Sequence, residues 1–218
     1  MKKLIIFDLD GTLLNTIDDL AQACNHALTR LGFPTHPLSA YPFMVGNGIN
    51  KLFERALPEG SKTPENILRM RAEFVPYYDR HNADLSRPYP GINGMLETLQ
   101  QGGCQLAVAS NKYHEATTAL IRHYFPQIHW SAILGQREGI PTKPYPTIVQ
   151  DILQQTHVCA NDTLYVGDSG VDMQTAHNAR VTACGVTWGF RPRQELLMLN
   201  PSYIVDRPQE IVEIVLGK

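Results

Sequence analysis

Long apolar runs are missing from this 218-residue chain. No stretch approaches the ~20 residues that span a bilayer, so no membrane partner is expected. Met1-Lys2-Lys3 and a short apolar run precede Asp8. That segment lacks the longer apolar region and small-residue cleavage site of a signal peptide, and cytoplasmic residence is the expectation. Basic clusters are also missing. The 19 Lys and Arg are scattered against 21 Asp and Glu, for a formal charge of −2. Nucleic acid is therefore not an expected partner. The four cysteines, Cys24, Cys104, Cys159 and Cys184, form no CxxC pair and read as free structural thiols. Eight histidines never fall at the spacing of two ligands on one helix face, which argues against zinc. Repeats and low-complexity segments are absent.

What is present suffices for a core. Apolar residues make up 43% of the chain and charged residues 18%. That excludes a disordered chain and allows one large domain, or a core domain with an insertion. Leu4–Phe7 reads as a buried strand. Ile17, Leu20, Ala21, Cys24, Ala27, Leu28 and Leu31 recur at helical spacing, which predicts a helix over 16–31 capped by Thr16 and ended by Gly32 and Pro34. Further helices are predicted near 38–44, 49–57 and 64–81. No strand pattern appears between 16 and 86, so this region reads as a helical insertion. Beyond the Pro- and Gly-punctuated stretch 87–91, helices and strands alternate. Strands are expected at 104–109, 131–134, 163–166, 181–186 and 203–205, with helices at 92–101, 115–124, 146–155, 172–179 and 208–216. Such alternation implies an α/β fold, a Rossmann-like parallel sheet with helices on both faces.

In an open parallel sheet, ligands bind beyond the carboxyl ends of the strands. Reactive residues follow four predicted strands: Asp8 and Asp10 after the first, Ser110 and Asn111 after 104–109, and Lys143 in the loop after 131–134. Asp168 and Asp172 follow 163–166. Two carboxylates at the end of a buried strand are costly to desolvate unless cations compensate. Phosphoryl chemistry explains the set. An Asp can attack phosphorus and split one displacement into two. A hard divalent cation such as Mg²⁺ offsets the charge of carboxylates and phosphate. A lysine adds fixed positive charge. A second Asp can protonate the leaving oxygen and then activate water.

Phe7-Asp8-Leu9-Asp10-Gly11-Thr12 and Gly167-Asp168-Ser169-Gly170-Val171-Asp172, with Ser110 and Lys143 in order between them, resemble the four motifs of the haloacid-dehalogenase superfamily. The resemblance covers essentially the whole chain. It implies Asp8 as nucleophile, Asp10 as general acid/base, and Lys143 paired with nucleophile and phosphate. It implies a Mg²⁺ site from Asp8, the Asp10 backbone carbonyl and Asp168, with Asp172 acting through a metal-bound water. Thr12, Ser110 and Asn111 would bind substrate. Asp at position 10, where the dehalogenase branch typically has Tyr, implies a phosphatase. The segment 16–86 resembles the helical cap of this superfamily, set into a core of 1–15 and 87–218, with hinges near 15–16 and 88–90.

Gly46-Asn47-Gly48 is the candidate contact from that cap to substrate. Its glycines allow close backbone approach, and a helix N-terminus follows. Val45–Gly48, Pro88–Gly91 and Gly185–Gly189 resemble segments of bacterial phosphoglycolate phosphatases. The expected substrate is a small phosphorylated metabolite, 2-phosphoglycolate first, acted on by a monomer or homodimer. A pyrophosphatase, a sugar-phosphate phosphatase, a phosphomutase or a non-catalytic phosphometabolite-binding protein on the same scaffold are the alternatives. The chain departs from the pattern at Asn15 and Thr16, where relatives often have Asp and Ser, and at Tyr113, where they often have Pro.

Overall fold

The structure is a computed structural model, and it describes residues 2–217. Its centre is β1 (Leu4–Phe7), four residues without exposed surface. Burial on both faces explains why this strand is a continuous apolar run rather than an alternating one. Ile5 and Phe7 point into one apolar cluster, with Leu96, Leu106, Val108 and Val166. Leu4 and Ile6 point into the other, with Ala107, Val149, Ile152 and Tyr165. Full burial of each such side chain contributes about 1.5–3 kcal/mol.

Six strands form the main sheet. With β4 (Gln105–Tyr113), β5 (Trp130–Gln136), β6 (Thr163–Gly167), β7 (Thr182–Val186) and β8 (Tyr203–Val205), the order is β5-β4-β1-β6-β7-β8. Each neighbouring pair is parallel. The chain thus builds outward from β1 to one edge, returns, and builds to the other. The point of reversal lies beside β1, where an open sheet leaves a crevice at its strand ends. The helices α4 (Ile92–Gln101), α5 (His114–Tyr124), α6 (Thr147–Thr156), α7 (Gly170–Ala179), α8 (Arg193–Leu197) and α9 (Pro208–Leu216) cover the sheet. This is the expected α/β architecture.

Between β1 and α4 the chain is helical, as its lack of strand pattern indicates. It contains α1 (Ile17–Arg30), a 3₁₀ turn over Leu38–Phe43, α2 (Ile49–Ala56) and α3 (Pro64–His81). These segments bury their own apolar cluster, centred on Cys24, Tyr41, Phe53, Met70, Phe74 and Tyr78. Tyr113 and Ala116 join that cluster from the sheet side. The chain leaves and returns through a two-residue antiparallel pair, β2 (Leu14–Asn15) with β3 (Arg87–Pro88). Asp19 secures this junction. Its buried carboxylate accepts from the backbone N–H groups of Leu85 and Ser86 and from Ser86 Oγ, at 2.7–3.1 Å.

Two local expectations need correction. Thr16 stands at the N-cap of α1, but its hydroxyl caps nothing. It donates instead to Asp10 Oδ1 at 2.6 Å, a stronger, charge-assisted bond. The strand expected to end at Ala109 continues to Tyr113, because β5 extends to Gln136 and still pairs Tyr113 after a register shift. Ser110 and Asn111 therefore lie inside the irregular end of β4 rather than after it.

Candidate active site

Parallel pairing in register sets the site. Phe7 is level with Val108 on one side and Val166 on the other. The next residues of all three strands emerge together, and Asp8 N–H donates to Val166 O at 2.9 Å. Asp8, Asp168 and Asp172 bring carboxylate oxygens within 4.8 Å of one another, all buried. Lys143 reaches them from the loop after β5. Its ammonium lies 3.0 Å from Asp8 Oδ1 and 2.7 Å from Asp172 Oδ1. It also donates to Tyr165 Oη at 3.0 Å and Ala109 O at 3.1 Å.

Each carboxylate has a separate setting. Asp8 Oδ1 accepts from Leu9 N–H at 2.7 Å and from Lys143, and Oδ2 takes no hydrogen bond from a described residue. Asp168 Oδ2 accepts from Phe190 N–H at 2.7 Å, and Oδ1 accepts from Thr12 Oγ1 at 3.3 Å. Asp172 is fully enclosed. Its Oδ2 accepts from Ser169 Oγ at 2.6 Å and Ser169 N–H at 3.1 Å, closing the capping box that starts α7. The surrounding backbone is pressed close. A Cβ on Gly11, whose φ is +85°, would lie 2.3 Å from Asp168 Oδ2. A Cβ on Gly189 would lie 2.2 Å from Asp168 Cβ. Only glycine fits at either position.

Charge is unbalanced here. Three carboxylates face one ammonium, a formal surplus of two negative charges in a buried cluster. Burial, then Asp172, pushes the Asp8 carboxyl up to about 7, against the pull of Lys143. Burial, then Asp172 and Asp8, holds Asp168 well above the usual carboxylate range. Burial alone would lower Lys143, but Asp172 and Asp8 outweigh it and keep it well above the ordinary lysine value. A nucleophilic carboxylate must be ionised, so the cluster as it stands opposes that role. The all-oxygen donor set and the surplus of two charges fit one hard divalent cation. Asp8 and Asp168 are the carboxylates with room to ligate it: Asp8 Oδ2 accepts from no described residue and each Asp168 oxygen accepts one hydrogen bond, whereas each Asp172 oxygen already accepts two.

Asp10 stands outside this group. Its Oδ1 accepts from Thr16, and its Oδ2 lies 3.2 Å from Lys112 Nζ. Asp8, Asp10, Ser110 and Lys112 form one wall of a narrow cleft with a cavity volume of about 30 Å³. Leu20, Val45, Gly46, Gly48, Ile49 and Leu52 face them from the helical segment. Gly48, Ile49 and Asn111 also line a larger groove beside it, which leads to solvent.

The structure gathers most of the anticipated residues and separates a few. Ser110 lines the cleft, and its Oγ accepts from Lys112 N–H at 3.2 Å. Asn111 ties elements together: its amide donates to Gly46 O at 3.0 Å and Lys143 O at 3.2 Å, and its Oδ1 accepts from Lys143 N–H at 2.8 Å. Gly46 and Gly48 reach the cleft. Asn47 does not, because its side chain accepts from Arg55 at 2.8 Å. Thr12 is wholly buried and its hydroxyl is spent on Asp168. Sequence reasoning missed Lys112, Tyr165, Gly189 and Phe190. A lysine directly after Ser-Asn at a strand end was the available signal for Lys112. A tyrosine inside an apolar strand carries no signal.

Fold and site together define a parallel α/β enzyme that gathers carboxylates and a lysine at its strand ends. The model of the family described as haloacid dehalogenase-like hydrolase matches residues 5–186. The chain belongs to this family and is a phosphatase. It is 31% identical over 218 residues to the phosphoglycolate phosphatase of Vibrio parahaemolyticus, covering 98% of this chain and 96% of the relative. It is 32% identical over 219 residues to that of Mannheimia succiniciproducens, covering 98% of both. A solved structure from Lactobacillus delbrueckii subsp. bulgaricus, provisionally named a phosphoglycolate phosphatase, superposes with a TM-score of 0.92 at 32% identity over 100% of both chains. Among the described residues, no helix is long and apolar enough to cross a membrane.

Proposed function

We propose that the chain is a Mg²⁺-dependent phosphomonoester hydrolase whose substrate is 2-phosphoglycolate. One observation supports this most: Asp8, which lines the cleft beside Asp168, is held at Oδ1 by Lys143 and Leu9 N–H, while its Oδ2 takes no hydrogen bond from a described residue. Asp8 Oδ2 is the attacking atom in this reading. It bonds to phosphorus as the ester oxygen departs, giving an aspartyl-phosphate, and water then releases phosphate. The Lys143 ammonium neutralises charge on Asp8 and the transferring oxygens. Asp10 delivers a proton to the departing oxygen, then takes one from the attacking water. Thr16 and Lys112 fix its carboxylate for both tasks. Ser110 and nearby backbone N–H groups hold phosphate oxygens. Bound at Asp8 and Asp168, with Asp172 behind, Mg²⁺ supplies Lewis-acid stabilisation of charge on phosphate.

Residues 16–86 act as a cap domain in this reading, moving on the β2–β3 junction. Their own apolar cluster and the narrow two-residue crossing support a separate unit. Closure excludes water and brings Gly46 and Gly48 to the leaving group. The names of the relatives support the substrate. The four cysteines are unpaired, in keeping with a cytoplasmic setting.

A phosphate-release panel with Mg²⁺ tests the reading. It compares 2-phosphoglycolate, pyrophosphate, sugar phosphates and nucleotides, with Asp8→Asn as blank. The expected result is a kcat/KM of about 10⁴ M⁻¹s⁻¹ or more for 2-phosphoglycolate, at least about tenfold above the others. Equal, slow turnover of all substrates overturns the substrate, and activity no higher than the blank overturns the enzyme.

A further inference from the structure

We propose that Lys112 selects the leaving group, by binding a carboxylate carried next to the ester oxygen. The inference rests on the phosphatase reading above. Lys112 belongs to the irregular end of β4 and is 2% exposed at its side chain. Its ammonium lies 3.2 Å from Asp10 Oδ2 and donates to Tyr78 Oη, from α3, at 2.9 Å. The same ammonium sits 4.6 Å from the centre of the Tyr78 ring. An ammonium has three protons, and the third has no acceptor among the described residues.

Placement gives that proton a task. Among the described residues, Lys112 is the only cation lining the cleft, and Asp8 and Asp10 line it too. An anionic leaving group entering there meets two carboxylates and one ammonium. Because Lys112 adjoins Asp10, a carboxylate bound to it would belong to a short leaving group whose ester oxygen is within reach of Asp10. The opposite wall is Leu20, Val45, Ile49 and Leu52, with Gly46 and Gly48. Such a wall leaves room for a short leaving group and offers no second cation. A carboxylate, carrying one charge, matches one ammonium. A second phosphate, carrying about two, is left uncompensated. Tyr78 aims the ammonium, so the helical segment sets selectivity indirectly while the charge comes from the sheet.

The test is a ratio. Phosphate release is measured with Mg²⁺ for 2-phosphoglycolate and for 2-hydroxyethyl phosphate, in which a neutral CH₂OH replaces the carboxylate. Any effect of Lys112 on Asp10 acts on the same phosphoryl chemistry in both esters and cancels in the ratio of their kcat/KM values. The wild-type ratio is expected to exceed about 10, and Lys112→Met should lower it about 10- to 100-fold, the worth of one charge-assisted hydrogen bond. Lys112→Arg should retain part of it. A ratio unchanged in Lys112→Met overturns the inference while the phosphatase reading stands. A wild-type ratio near 1 overturns it without any variant, which covers failure of Lys112→Met to fold. Preference for 1,2-bisphosphorylated over carboxylated esters also overturns it. Absence of wild-type turnover on every ester sinks the phosphatase reading instead.

Discussion

Replacing Lys143 with Met exposes the electrostatics that the site depends on. The substitution keeps an unbranched chain one atom shorter and removes the charge. It breaks contacts to Asp8 at 3.0 Å and Asp172 at 2.7 Å, and strands two buried carboxylates beside Asp168. Removing one partner of a buried ion pair costs about 3–5 kcal/mol. At about 2–4 °C per kcal/mol for a chain of this size, the melting temperature should fall by roughly 6–20 °C at pH 8 without Mg²⁺. The loss should shrink at lower pH. Asp8 already titrates near 7 when folded, and Lys143 is one of the groups pulling it down. Without Lys143 the folded value rises further, while the unfolded value stays near ~3.9. A carboxyl raised on folding binds more protons in the folded state, so the folded state loses stability as pH rises between those two values. At pH 5.5 Asp8 is largely protonated, so its share of the stranded charge is mostly gone. Urea unfolding of wild type and Lys143→Met in EDTA, at pH 5.5 and 8, measures the difference directly. A penalty under about 1 kcal/mol, or one equal at both pH values, would refute the argument that Lys143 compensates buried anions.

Metal dependence should follow the same electrostatics. Mg²⁺ should raise the melting temperature more at pH 8 than at pH 5.5, because the ion competes with protons for Asp8 and Asp168. Asp168→Asn should abolish that shift, whereas Asp10→Asn should keep it and lose turnover, since the Asp10 carboxylate lies outside the cluster. Equal loss of the shift in both variants would contradict this division. Gly11→Ala should cut kcat by about 10² or more, as a misplaced catalytic group does. Its Cβ would fall 2.3 Å from Asp168 Oδ2 at a positive φ, and a kinetic assay with saturating Mg²⁺ reads the result. Asp19→Ala should destabilise the protein by about 1–3 kcal/mol by leaving the Leu85 and Ser86 N–H groups unsatisfied. Thermal melting and hydrogen exchange at the β2–β3 junction check this, and an unchanged melting temperature would contradict it.

The core was readable from sequence because its parts are long enough to be periodic. An apolar tetrad at Leu4–Phe7 can only be a buried strand here, and residues 17–31 carry a clear helical stripe. The junction β2–β3 was not readable as paired strands, because two residues on each side carry no period. The 3₁₀ turn at Leu38–Phe43 reads as a helix since its length is short and Pro42 interrupts it. Among site residues, acidic and basic groups at strand ends stood out because burying them otherwise costs energy. Their partners did not. Tyr165, Tyr78 and the Phe190 N–H act through position alone, and position becomes visible only when the sheet assembles.

That assembly divides the carboxylates by task. Asp8, Asp168 and Asp172 share one lysine and remain short of positive charge, which makes the cluster receptive to a cation. Asp10 is two residues from Asp8, and in an extended strand both would point to the same face. The turn at Gly11, with φ +85°, and the bond from Thr16 rotate Asp10 out of the cluster. It faces the cleft beside Lys112, a cation fixed by Tyr78 of the helical segment. In the proposed mechanism the nucleophile, Asp8, is thus governed by charges inside the sheet, while the proton donor, Asp10, is governed by a contact that spans sheet and helical segment. Under the proposed cap motion, the surroundings of Asp10 would change and those of Asp8 would stay in place. In that proposed reading the carboxylate cluster stands ready for a cation, and Asp10 is completed as the acid only when the segment bearing Tyr78 is seated.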